Sequence, residues 1–172
     1  MKKINIYIRP LKETDADISW RWRNDQEIWK FTGNRPYTLV TQTIEKEWIR
    51  KVLSEDTSRR FAICIKETDE YIGNIQLTDI DLKKKQAVLH IFIGEKKYWG
   101  KGIASQATSS LIEIAKKELF LKRIILRVNR NNDSAIRVYL KNGFAVYNEA
   151  EFSSSSETGN VKDQFLRMTC DL

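Results

Sequence analysis

The 172-residue chain contains one histidine and two cysteines. Two cysteines build no disulfide framework, and Cys64 and Cys170 lack metal-ligand spacing, so both are read as small core residues in strands and no metal is expected. No apolar run approaches the roughly 20 residues that cross a bilayer. Met1 to Pro10 carries Lys2, Lys3 and Arg9 but no apolar stretch of the secretory kind. By elimination the expected location is cytoplasmic, with no membrane partner. Basic residues are scattered over Lys83–Lys85, Lys96–Lys97 and Lys116–Lys117, each read as a solvated face. No recognition motif accompanies them, so no nucleic acid is expected.

Hydrophobic residues make up 41% and charged residues 31%, the balance of a folded domain. The length suits one domain over residues 1–172, as a monomer or homodimer. A net charge of +7 suits an anionic partner, such as a phosphorylated small molecule.

Residues 4–9 alternate and read as a strand ending at Pro10. Thr14 or Asp15 is placed to cap a helix running to about Asn24, and Thr41–Leu53 reads as a second helix. Trp29–Pro36 between them is loop-like. Phe61–Lys66, Tyr71–Thr78 and Gln86–Gly94 then alternate with period two, separated by short polar turns, and read as an antiparallel meander. Gly73 marks a bulge or a close approach. After Gly102 the stripe Ile103, Ala107, Leu111, Ile114, Ala115, Leu119 is helical. A strand over Arg123–Val128, a helix over Asn132–Asn142 and strands over Phe144–Asn148 and Phe165–Thr169 complete an α+β order, with a polar loop over Ser153–Asn160. Gly143 suits the left-handed position after a helix, with Phe144 folding back.

The informative run is Phe92 to Ser105: a strand ends, a turn with Gly100 and Gly102 follows, and a helix begins. Free N–H groups at a helix start favour an anion, and glycine lets the backbone approach a phosphate. Lys101 adds positive charge there. The P-loop pattern is absent. The dinucleotide pattern fails at its third position, Ser105, and has Leu121 and Lys122 about 20 residues on where an acid is required.

Trp99-Gly100-Lys101-Gly102-Ile103-Ala104 resembles the Gln/Arg-x-x-Gly-x-Gly/Ala turn of the GNAT N-acetyltransferases, and Asn132, Ala135, Tyr139, Lys141, Gly143 and Phe144 resemble that family's second signature. Ile8–Leu11 and Trp22–Asp25 are similar to the branch with ribosomal-protein N-terminal, spermidine and amino-sugar acetyltransferases. The resemblance implies an acyl-CoA N-acyltransferase fold: a mixed, mostly antiparallel sheet of about seven strands flanked by about four helices. It implies an acetyl-CoA-dependent N-acetyltransferase, with acetyl-CoA as co-substrate and direct transfer to an amine. A non-catalytic acetyl-CoA-binding sensor or assembly module is the alternative.

The resemblance also assigns roles. The pyrophosphate would lie over Trp99, Gly100, Lys101, Gly102, Ile103 and Ala104, with Trp99 standing where the family has Gln or Arg and serving through its backbone N–H. The backbone of Phe92 and Ile93, beside a bulge that splays the fourth strand from the fifth, would contact the pantetheine arm and the oxyanion. Asn132 would bind the amide arm, and Tyr139 would protonate the departing thiolate. Relatives often place an acid where this chain has Val88. His90, on the same strand face, is the candidate base, with Asp25 or a water relay as alternatives. Trp22, Asn24, Asp25, Trp29, Phe31 and Tyr37 concentrate aromatics and an acid where the amine acceptor is expected. An anionic amino sugar suits the basic chain better than a polyamine, and a protein N-terminus also remains.

Overall fold

A computed structural model describes residues 4–32, 38–147 and 164–172. In chain order the elements are β1 (Ile6–Pro10), α1 (Ala16–Arg23), α2 (Gln42–Leu53), β2 (Arg59–Ile65), β3 (Tyr71–Asp81), β4 (Gln86–Ile93), α3 (Ile103–Lys117), β5 (Arg123–Asn129), α4 (Asp133–Lys141), β6 (Ala145–Val146) and β7 (Phe165–Asp171). The strands form one sheet in the order β1-β2-β3-β4-β5-β7-β6. Every neighbouring pair is antiparallel except β4 with β5. A parallel pair needs a long crossover, and α3 supplies it. The α+β class and the mostly antiparallel seven-stranded sheet are as expected from the sequence.

Alternation along the strands gives the sheet two apolar faces. On one, α3 brings Ile103, Ala107 and Leu111, and α4 brings Tyr139, against Ile75, Leu77, Leu89, Ile124 and Leu126. On the other, α1 and α2 bring Ala16, Trp22 and Ile49 against Ala62, Cys64 and Tyr71, with Phe92 packed alongside. Both cysteines are buried and unbridged.

Local chemistry sets the element ends. The Thr41 hydroxyl accepts from the Ile44 N–H at 3.3 Å and starts α2. Gly143, at φ +87°, ends α4, and the Phe144 N–H folds back onto the Tyr139 carbonyl at 3.1 Å. Asp15 stands at the N-cap of α1, but its side chain makes no capping bond to the helix. Its carboxylate is taken by Arg9 at 2.7 and 2.8 Å and by the Lys12 N–H at 2.7 Å, so a 3-10 turn over Glu13–Asp15 precedes the helix. Of the strand expected over Phe144–Asn148 only Ala145–Val146 forms; Asn148 and the loop Ser153–Asn160 lie outside the described residues. Gly73 meets both readings. The β2–β3 register slips beside it, and a Cβ there would stand 2.5 Å from the Phe92 carbonyl oxygen.

Candidate active site

β4 and β5 pair only through Gln86–Val88 and Arg123–Ile125. Beyond that point β4 stays paired with β3 as far as Ile93, and β5 stays paired with β7 as far as Asn129. Two neighbours that part while each is held by its other partner leave a V-shaped opening between Leu89–Ile93 and Leu126–Asn129. The bulge expected in β4 does not appear in its ladder with β3, which runs in register from Val88 to Ile93. The opening is made where the parallel ladder stops.

The Gly94 N–H donates to the Ile72 carbonyl at 2.8 Å. Antiparallel alternation then turns the backbone of Phe92 toward β3 and that of Ile91 and Ile93 toward the opening. This corrects one expectation. The Phe92 backbone is spent in the sheet, and its ring packs on the helical face instead. Ile93, joined by Ile91, presents the backbone edge.

The glycine turn follows. Gly100 and Gly102 have φ of +71° and +77°, the left-handed region that favours glycine. A Cβ on either would meet nothing within 4 Å, so the turn faces open space. Gly102 is the N-cap of α3 and brings no capping side chain. The first helical bond is Gln106 N–H to Gly102 carbonyl, leaving the N–H groups of Ile103, Ala104 and Ser105 ahead of the ladder. Lys101 sits nearby, its ammonium 5.6 Å from the Tyr98 ring centre. An open approach, forward-facing N–H groups and a helix dipole fit a pyrophosphate. Trp99 acts differently from expectation. Its backbone N–H donates to the Lys96 carbonyl at 3.0 Å, and its indole N–H donates to the Ile93 carbonyl at 2.9 Å. Both donors are used, so Trp99 braces the turn against the end of β4.

On the α3–α4 face, the Tyr139 residue is 7% exposed. Its hydroxyl has no hydrogen-bond partner among the described residues and is not one of the polar atoms sealed without one. Burial pushes its pKa up to about 12, which keeps the phenol protonated at neutral pH. Asn132 caps α4, its Oδ1 accepting from the Ala135 N–H at 3.1 Å; its amide N–H₂ has no partner among the described residues.

His90 lies on the opposite face, across from Gln76 in the sheet. Its Nε2 is 3.0 Å from the Thr78 hydroxyl. The residue keeps an exposed edge, yet burial around the ring lowers its pKa below the usual 6.5; Asp79 opposes the shift and Arg60 adds to it. The imidazole is therefore neutral near pH 7. Asp25 is a poorer base: Lys96, 2.9 Å away, holds its carboxyl below the usual range.

The expected acceptor residues divide. Trp22 is buried at 4% exposure, donates to Glu95 at 3.1 Å and packs on Tyr71, so it is a core residue. Asn24 spends its amide on the loop: it donates to the carbonyls of Trp20 and Val40 and accepts from the Val40 N–H. Trp29 stands at the surface with its ring 5.3 Å from that of Phe92, beside an open hollow shared with Gln26, Glu27 and Lys30. Phe31 is part-exposed under the Lys30 ammonium at 5.3 Å. Tyr37 lies outside the described residues.

The same face holds groups that sequence reasoning missed. The Arg23 guanidinium lies over the rings of Trp29 and Trp48, at 5.2 and 4.5 Å from their centres. Its Nε is 3.2 Å from a carboxylate oxygen of Glu45, which is 1% exposed and also receives the Ser19 hydroxyl at 2.8 Å. Arg60 covers Trp48 at 5.4 Å and donates to Gln76, the neighbour of His90. The available signal was position: Glu45 precedes Ile49 and Val52 on the buried stripe of α2.

A family model described as an acetyltransferase (GNAT) domain matches residues 5–145. The chain is 33% identical over 134 residues to an uncharacterized N-acetyltransferase, p20, of Bacillus licheniformis, covering 77% of this chain and 75% of that one. It is 27% identical over 146 residues to the spermidine N(1)-acetyltransferase of Escherichia coli K12, covering 84% and 75%. Its fold is similar, with a TM-score of 0.80 at 22% identity over 96% and 95% of the two chains, to a spermidine N-acetyltransferase from Vibrio cholerae crystallised with CoA and spermine. Among the described residues no helix is long and apolar enough to cross a membrane.

Proposed function

The chain belongs to the GNAT acetyltransferase family and is an acetyl-CoA-using N-acetyltransferase, and we propose that it passes the acetyl group directly to the primary amine of a small molecule held on the α1–α2 face. The observation that carries this reading is the opened β4–β5 pair, with the glycine turn at its mouth. Acetyl-CoA supplies an activated thioester when bound. The turn over Gly100–Ala104 would hold its pyrophosphate, the edge at Ile91 and Ile93 its pantetheine arm, and the Asn132 amide an oxygen of that arm. The Ile93 N–H faces the opening, placed to donate to oxygen as negative charge develops there. Tyr139 and His90 lie on opposite faces of the sheet. That separation suits one to give a proton on the leaving side and the other to take a proton from the amine.

Two acceptor chemistries have support, from different observations. The spermidine acetyltransferases among the relatives support a polyamine. A second observation supports an amine carrying an anionic group, as in an amino sugar phosphate: residues 28–44 carry Lys30 and Arg35 and no acid. Initial rates with an amine panel, varied against acetyl-CoA, test the reading. Intersecting double-reciprocal lines and an acetylated amine by mass spectrometry are expected. Parallel lines would replace direct transfer with an acetylated-enzyme route.

A further inference from the structure

We propose that Arg23 selects the acceptor by receiving an anionic group, phosphate or carboxylate, that the amine carries; this rests on the acceptor entering over α1 and α2. Arg23 is built into place rather than left to solvent. Its guanidinium stands over two indoles, those of Trp29 and Trp48, and the buried Glu45 carboxylate lies 3.2 Å from its Nε. That ion pair is too poorly aligned to hydrogen-bond, since Arg23 Nε and Glu45 Oε2 both lack a bonded partner. The two Nη groups have no partner among the described residues and are not sealed in the core. A guanidinium fixed by stacking with its Nη pair outward presents the planar fork that binds two oxygens at once.

The surrounding charges balance, and the acids among them are already paired. Arg60 lies on Trp48 with its side chain 8% exposed, and Lys30 stands over Phe31. The acids nearby are engaged: Glu45 by Arg23 and Ser19, Glu55 by Arg60, and Asp25 and Glu27 by Lys96. Trp29 connects Arg23 to the opening, because its ring packs on Phe92. A polyamine's second ammonium would meet arginine here rather than carboxylate.

The test uses matched acceptor pairs that differ only in the anion. Glucosamine 6-phosphate against glucosamine probes phosphate; lysine against cadaverine probes carboxylate, with spermidine alongside. In the wild-type protein at least one member bearing the anion is expected to exceed its partner lacking it in kcat/KM by tenfold or more, mainly through KM. Arg23→Gln alone strands the buried Glu45 carboxylate and risks the fold. The double variant Arg23→Gln with Glu45→Gln keeps a neutral pair there and should shrink the gap to about twofold, with acetyl-CoA affinity unchanged. Arg23→Lys, which keeps charge but loses the fork, should fall between. Equal rates within both pairs, a preference for spermidine, or a gap that survives the double variant would overturn the proposal. Calorimetric binding of the same pairs in the presence of CoA separates it from the activity: charge-dependent binding lost in the double variant supports Arg23 even where no amine is acetylated.

Discussion

The indole of Trp99 and the carbonyl of Ile93 are joined by a 2.9 Å hydrogen bond, so the first residue of the glycine turn is fastened to the last residue of β4. Trp99 is 41% exposed, and its side chain does little for the core. Its place is geometric: it sets the turn against the strand edge, the two surfaces assigned to one extended ligand. Trp99→Phe keeps the ring and loses the donor. Acetyl-CoA binding by calorimetry should weaken by about 2- to 10-fold, the usual worth of one net hydrogen bond. An unchanged Kd would detach the indole from the site.

Gly102→Val should weaken acetyl-CoA binding more than tenfold while the protein stays folded. The added side chain meets no protein atom but stands in the open face of the turn, on a backbone at φ +77°. Circular dichroism checks the fold. A folded variant with wild-type affinity would remove the turn from the cofactor site.

Gly94→Ala should be the more damaging glycine change for stability. A Cβ at Gly94 would fall 2.0 Å from the ring of Trp22, which is buried beneath. Overpacking of a rigid aromatic costs about 1–3 kcal/mol or more. Urea denaturation should show a loss of unfolding free energy of that order, and a wild-type value would mean that the Trp22 ring moves freely.

Much of this framework was legible beforehand. Alternation revealed the β2–β4 meander, and the apolar stripe from Ile103 to Ala115 revealed α3. The placement of β7 between β5 and β6 was not legible, because period two says which residues share a face and not which strands are neighbours. The Arg23–Glu45 pair was hidden for another reason: charged residues in short helices read as solvent-facing, and only three-dimensional packing buries one. Trp22 and Asn24 were found as residues but not in their places, since composition does not separate a core indole from one lining a site.

Tyr139→Phe should leave acetyl-CoA affinity intact and lower kcat by about 10²–10⁴-fold, the range of general-acid assistance. Because burial raises the phenol to about 12, any loss of activity from its ionisation should come well above pH 10, the ordinary tyrosine value. A variant within twofold of wild type, with chemistry rate-limiting, would exclude the hydroxyl.

His90 carries a prediction with a definite sign. Its pKa is lowered on folding, so the folded state disfavours the protonated ring. Stability from this source is complete above about pH 6.5, the unfolded value, and declines as pH falls through the lower folded value. If His90 is also the base, kcat/KM should rise along a limb below pH 6.5, and His90→Gln should abolish it. A stable variant that retains the limb would assign the proton to water or to the amine itself.

The three residue pairs that join β4 to β5 make a narrow seam in an otherwise continuous sheet. On one side stand four antiparallel strands, on the other three, each set zipped along its own length. Such a sheet behaves as two stiff wings sharing a short hinge line, with α3 as the strap between them. A ligand lodged in the notch and bonded to both margins would act as a suture. Its mark would be slowed amide-hydrogen exchange along β4 and β5 together, reaching residues that never touch it.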